Sequence, residues 1–274
     1  MLPFSLISQG FALQTAFSLS SALVVASLAN HVGLVQGQRW QQALNGFGVV
    51  SGLSLLLLLA LRSVEAGFFA VSTMYESVLL VAASVQLGLV ALARTHPNET
   101  LFRVVAQVAV VLILLFANGL ASEPTALQAS LRSYWRAIHV PIILASYALF
   151  ALNMVATLVA MWQSYRKQPS HQAAELAFQA AVVGFPLLTI GVMLGAVWAN
   201  EAWGTYWNWD PKESMALATL LGYAVYIHLK LTTNLSQQAL NAVAVGAFVL
   251  LVVTYVGVNL MGVGLHSYGN FTLG

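Results

Sequence analysis

The run Leu53-Ser-Leu-Leu-Leu-Leu-Leu-Ala-Leu61 lies inside an apolar stretch at 43–61 that ends against Arg62. A lipid-facing barrel strand alternates apolar and polar residues over about ten positions, and this run does not alternate. As a helix rising 1.5 Å per residue, about 20 apolar residues cross the ~30 Å hydrocarbon core of a bilayer. Read outward from there, the chain has comparable stretches at 11–32, 74–93, 101–121, 138–162, 176–199, 211–230 and 239–262. Arg94-Thr-His96-Pro97, Ser122-Glu123-Pro124 and Arg166-Lys167-Gln168-Pro169 separate them, each combining charge with a helix-breaking proline. The expected fold is all-α, a polytopic membrane bundle of about eight transmembrane helices with short loops. It forms a single integral membrane domain over 1–274 with no internal repeat.

Composition fixes the solvent. Hydrophobic residues make up 59% of the 274, charged residues 7%, and the mean hydropathy is +0.82. Soluble domains carry about 25% charged residues. The net charge of +2 comes from scattered Lys and Arg with no basic tract longer than two residues, which gives no surface for nucleic acid. No Lys or Arg precedes Arg39, so the first apolar run lacks the basic region of a cleaved signal peptide and is expected to stay as a span. The absence of cysteine rules out disulfides, thiolate metal sites and thiol redox work by this chain. Any reduction falls to a partner.

Eight spans place both termini on one side. The connections after odd-numbered spans carry Arg39, Arg94, Arg103, Arg166, Lys167 and Lys230, and the opposite side carries Arg62, Arg132, Arg136 and Lys212. The bias puts the second set outside the cytoplasm. The same parity brings three places to one face: the segment before span five with His139, the connection after span six, and the tail with His266.

That connection, at about 198–212, is the most unusual segment of the chain. It contains Trp198, Trp203, Trp207 and Trp209, four of the seven tryptophans, together with the only aspartate, Asp210. Dense indoles at a membrane surface serve as interfacial anchors or as a platform for a large planar ligand. Two imidazoles on the same face favour the platform, since two axial nitrogens and a flat aromatic shelf are what a metalloporphyrin such as haem requires. Taken singly, a histidine at a helix end is more often a polar interfacial residue; Tyr134, Trp135 and Tyr268 fit an aromatic belt as well as a pocket wall.

The string from Gly195 to Glu213, with Trp198-Ala-Asn-Glu-Ala-Trp203-Gly-Thr-Tyr-Trp207-Asn-Trp209-Asp210-Pro-Lys at its centre, resembles the tryptophan-rich "WWD" signature of haem-handling cytochrome c assembly proteins of the CcsA (ResC) type. Met74-Tyr75-Glu76-Ser77 is similar to that family's Tyr-Glu-Ser motif, Ile138-His139-Val140-Pro141 to its histidine before the signature, and Gly264-Leu-His266-Ser-Tyr-Gly269 to its C-terminal one. The resemblance runs from the third span to the end. It departs at Ser214-Met215-Ala216, where many relatives have a further tryptophan, and at Thr73, where asparagine is expected.

The resemblance implies that His139 and His266 hold haem iron beside the tryptophans, and that haem is presented to a Cys-x-x-Cys-His apocytochrome c for thioether attachment. It further implies a CcsB (ResB) type membrane partner and a separate thioredoxin-like thiol-reducing pathway; together with the charge bias, the expected location is a bacterial plasma or thylakoid membrane with the tryptophan segment on the non-cytoplasmic side. His228 resembles the family's transmembrane histidine. Seventeen residues of helix separate it from Pro211, about 25 Å, so it belongs to a deeper station or is simply a helix-end residue beside Lys230. Two other functions stay open: a transmembrane haem exporter without attachment activity, and a b-type electron-transfer cytochrome subunit.

Two acidic sites have structural readings beside the haem-binding one. Asp210, Pro211 and Glu213 make a helix start in which the acids cap free amides and set the angle of the indoles. Glu76 is an ionisable group just inside an apolar span, a functional position by default, with Arg62 or a histidine of the haem site as its expected partner. Lys212 and Arg136 are candidate partners for haem propionates. His31, His96 and His171 read as solvated.

Overall fold

The computed structural model describes residues 4–120 and 133–261. They form the helices α1 (Phe4–His31), α2 (Gln38–Ala66), α3 (Met74–Thr95), α4 (Thr100–Asn118), α5 (Tyr134–Tyr165), α6 (His171–Trp203), α7 (Pro211–Thr232) and α8 (Gln237–Val252). A π-helical turn at Val253–Gly257 links α8 to a last short helix, α9 (Val258–Met261). Eight helical segments among the described residues are long and apolar enough to cross a membrane, the last being Gln237–Met261. The chain is an integral membrane protein, as its composition requires.

The chain divides into two compact units, α1–α4 and α5–α9. In the first, α3 is the most enclosed helix, packed against α2 and α4, while α1 also lies on α2 and α4. Lipid tails are as apolar as leucine, so close packing and buried polar contacts hold such helices together. Ser20 and Ser51 hydroxyls meet at 2.9 Å between α1 and α2, and Gln107 Nε2 of α4 donates to Gln86 Oε1 of α3 at 2.9 Å.

The second unit is built on α5 lying antiparallel along α6. Three α6 glycines face α5 in reverse order: a Cβ at Gly184 would come within 2.9 Å of Phe150, at Gly191 within 3.2 Å of Ile143, and at Gly195 within 2.7 Å of His139. These small residues let the two helices approach closely. Asn153 Nδ2 donates to the Ala177 carbonyl at 2.8 Å, and the buried Phe150 ring stacks on Tyr223 of α7 at 3.5 Å between centroids.

Helix ends differ from the sequence reading where polar residues carry no helix breaker. The sixth span, expected to stop at 199, runs on through Trp203, because Ala-Asn-Glu-Ala continues a helix and the first residue able to end it is Gly204. That glycine sits at φ 81° and its N–H closes the turn on the Asn200 carbonyl at 2.9 Å. Trp198 and Trp203 therefore stand on a helix, and the connection proper is residues 204–210. The fifth span starts at Tyr134, ahead of the expected 138, because Ser133 caps it by accepting from the Trp135 amide at 3.2 Å. His139 and Pro141 thereby lie inside α5.

Candidate functional site

His139 occupies the second turn of α5, half-buried against the glycine face of α6. Its Nδ1 lies 2.7 Å from the Gly191 carbonyl oxygen. A carbonyl only accepts, so Nδ1 carries the proton and Nε2 holds the lone pair. A backbone carbonyl fixing the tautomer in this way is the usual outer partner of a metal-binding imidazole. Gly195 supplies the space: its missing Cβ would lie 2.7 Å from His139 Cε1 and 3.0 Å from Nδ1. Neither glycine figured among the sequence-predicted site residues, although the pair Gly191-Val-Met-Leu-Gly195 was legible as a close-packing motif.

The aromatic residues divide by role. Trp198 is buried and lies against the imidazole, with ring centroids 5.8 Å apart and planes inclined by 35°. Trp203, half-buried one turn on, leans on Trp198 at 5.3 Å. These two back the histidine and brace it. Trp207 and Trp209 meet edge to face at 5.9 Å and 89°, and Trp209 is 71% exposed, as is much of Tyr206. The exposed indole offers the broad apolar face that a planar ligand would cover.

The loop that presents Trp209 is strained and tied down. Trp209 has φ 56°, a left-handed conformation that is uncommon for a bulky residue. The following helix start holds it there. Asp210 accepts from the Lys212 amide at 2.9 Å, and Glu213 Oε2 accepts from the Asp210 amide at 3.2 Å, completing the capping box expected from the sequence. Glu213 Oε2 also accepts from the Asn208 amide at 2.8 Å, so one carboxylate grips the backbone on both sides of Trp209. Lys212 Nζ donates to Asn259 Oδ1 at 2.7 Å, which ties the start of α7 to α9. Arg136 is buried at the start of α5.

Three candidates remain, His228, Glu76 and His266. His228 is exposed near the far end of the unbroken α7, so the separation from the tryptophan segment worked out from the sequence stands. Glu76 belongs to the α1–α4 unit. Its carboxylate lies 3.4 Å from Arg62 and accepts from the amides of Ser72 (2.8 Å) and Thr73 (3.2 Å), while Thr73 accepts from the Glu76 amide to close a capping box. Of the two partners anticipated for it, the structure supplies the arginine. His266, with Gly264, Tyr268 and Gly269, lies outside the described residues, as does Arg132.

These residues fit a haem. One imidazole has its tautomer set for ligation through Nε2 and is backed by packed indoles, and the connection that follows α6 holds an exposed indole rigidly. The site offers no thiolate, since the chain lacks cysteine.

The family described as "Cytochrome C assembly protein" matches residues 71–266. The chain is 32% identical over 258 residues to the cytochrome c biogenesis protein CcsA of Parasynechococcus marenigrum (strain WH8102), covering 81% of this chain and 85% of that one. It is 34% identical over 236 residues to the CcsA of Chlamydomonas reinhardtii, covering 81% and 67%. Among solved structures, the cytochrome c heme lyase CcmF superposes with a TM-score of 0.69 at 16% identity, over 92% of this chain and 46% of that chain. That likeness is one of fold, and this chain spans less than half of the larger protein.

Proposed function

This chain belongs to the cytochrome c assembly family, of the CcsA type, and on that premise we propose that it holds haem between His139 and His266 and presents it to apocytochrome c for covalent attachment. At the coarser level it is a membrane protein of cytochrome c biogenesis that handles haem. The observation that carries the finer reading is the 2.7 Å contact between His139 Nδ1 and the Gly191 carbonyl, which directs the imidazole lone pair to Nε2.

In this reading haem is cargo, lying against the exposed indole of Trp209 with its vinyl edge toward an incoming Cys-x-x-Cys-His segment. Each thioether forms by adding a cysteine S–H across a vinyl C=C. A C–S bond replaces the π bond, the hydrogen passes to the neighbouring vinyl carbon, and nothing is oxidised or reduced overall. The chain contributes positioning, which turns a two-body encounter into a local one and is a large effect by itself. Its lack of cysteine suits a carrier that must let haem go. The Asp210 and Glu213 cap keeps Trp209 in place. His228, about 25 Å away along α7, is assigned to an earlier haem station near the other membrane face. A CcsB-type partner, the non-cytoplasmic placement of the tryptophan segment and its plasma or thylakoid membrane complete the proposal.

The test is co-production with a CcsB-type partner and an apocytochrome c, followed by haem staining of the denatured cytochrome. His139→Ala and His266→Ala should each abolish covalent haem. Full attachment by either variant contradicts the reading. Haem trapped in the double variant with no attachment, in amounts that depend on His228, favours the exporter function instead.

A further inference from the structure

The α1–α4 unit contains a buried cation that the haem reading does not use. Arg103, in the first turn of α4, is 4% exposed. Its Nη1 donates to Asn45 Oδ1 of α2 at 2.9 Å, and its Nη2 is buried with no hydrogen-bond partner among the described residues. It has no ion-pair partner among them either; the nearest acid in sequence, Glu99, heads the same helix. An uncompensated charge in such a place is strongly unfavourable, and the positive end of the α4 dipole adds to the cost.

Other unpartnered groups lie at the same end of the unit. Asn30 Nδ2, next to the last residue of α1, and Trp40 Nε1, in the first turn of α2, are buried donors without partners among the described residues; the Asn30 side chain is 5% exposed. Gln41 Oε1, one turn before Asn45, is a buried acceptor in the same condition. Two contacts pin these helix ends together: His31 Nδ1 to Thr100 Oγ1 at 2.9 Å joins α1 to α4, and Arg103 to Asn45 joins α4 to α2. Arg39 in the first turn of α2 and Arg94 in the last turn of α3 add positive charge, with His31, His96 and Glu99 as the other titratable groups there. Val32 and Leu34, in the connection from α1 to α2, and Phe47, in the third turn of α2, expose 59%, 79% and 56% of their surface.

We propose that this end of the α1–α4 unit binds the phosphate of an anionic phospholipid with a hydroxylated headgroup. Arg103, Asn30 and Trp40 donate to phosphate oxygens, and Gln41 accepts from the headgroup hydroxyl. The exposed apolar side chains cover the acyl chains, which distinguishes an amphiphile from a free ion. Basic pockets between helices on the positively biased membrane face are suited to such headgroups. The site stands independently of the haem reading.

The probes are phosphatidylglycerol and phosphatidylcholine, each added to the delipidated full-length chain and followed by native mass spectrometry, with inorganic phosphate as a third arm. The unmodified chain should retain phosphatidylglycerol over phosphatidylcholine by about tenfold, because phosphatidylcholine sets its own trimethylammonium against the buried Arg103 and has no headgroup hydroxyl for Gln41. Arg103→Gln should lower the retention of both lipids and reduce the preference, and inorganic phosphate should not displace the lipid. Equal retention of the two lipids by the unmodified chain overturns the proposal whether or not any variant folds. An unchanged preference in Arg103→Gln overturns it too, and saturation by inorganic phosphate alone makes the occupant a free ion.

Discussion

Replacing Gly195 by alanine probes the histidine without touching it. The added Cβ would lie 2.7 Å from His139 Cε1, 3.0 Å from Nδ1 and 3.4 Å from Nε2. Ordinary contacts between such atoms are about 3.5–4.0 Å, so the ring must retreat by roughly 1 Å. The Gly191 carbonyl sits on the same helix as the new methyl group, so the 2.7 Å hydrogen bond cannot follow the ring outward. Overpacking costs about 1–3 kcal/mol and the lost bond about 1 kcal/mol. Alanine's better helix propensity returns about 1 kcal/mol, leaving a modest net loss of stability. Haem capture should suffer more, because removing the outer partner of a metal-binding histidine typically costs about 10–100-fold in affinity. The assay is haem titration of the purified chain with its CcsB-type partner, followed in the Soret band, beside a thermal melt. Haem binding by Gly195→Ala with unaltered affinity and spectrum would refute the reasoning, since the imidazole could not then depend on the gap.

Three further outcomes are expected. Arg62→Met should destabilise the α1–α4 unit by about 3 kcal/mol by leaving the Glu76 carboxylate buried without its cation, and Arg62→Met combined with Glu76→Gln should recover a large part of that loss; unfolding in mild detergent measures both. Glu213→Ala removes the acceptor for the Asn208 and Asp210 amides, so about 1–2 kcal/mol of helix-start stability should go and tryptophan emission should shift as Trp207 and Trp209 reorient. Trp209→Gly relieves the positive φ and should raise the melting temperature slightly, by about 1 kcal/mol of stability, while weakening haem retention.

What could be read in advance follows from the range of the interactions involved. The spans were legible because hydrocarbon demands apolar length, and each of the eight expected stretches overlaps a helix. Their ends were less so: hydropathy marks where lipid stops, whereas the helix stops at a cap, here Ser133 for α5 and Gly204 for α6. The Asp210 and Glu213 box was readable because it is local in sequence. The contact of His139 with Gly191, 52 residues later, was not, because it depends on the antiparallel register of α5 on α6. Nor did the sequence show that Trp209 adopts a left-handed backbone, since that conformation is imposed by Glu213 gripping both flanking amides.

The central claim is axial ligation by His139, and cavity rescue tests it most directly. His139→Gly leaves room for free imidazole where the side chain stood. The absorption spectrum of the purified complex should lose its haem bands in this variant and regain them when imidazole is added. Unchanged haem bands in His139→Gly without imidazole would contradict the account.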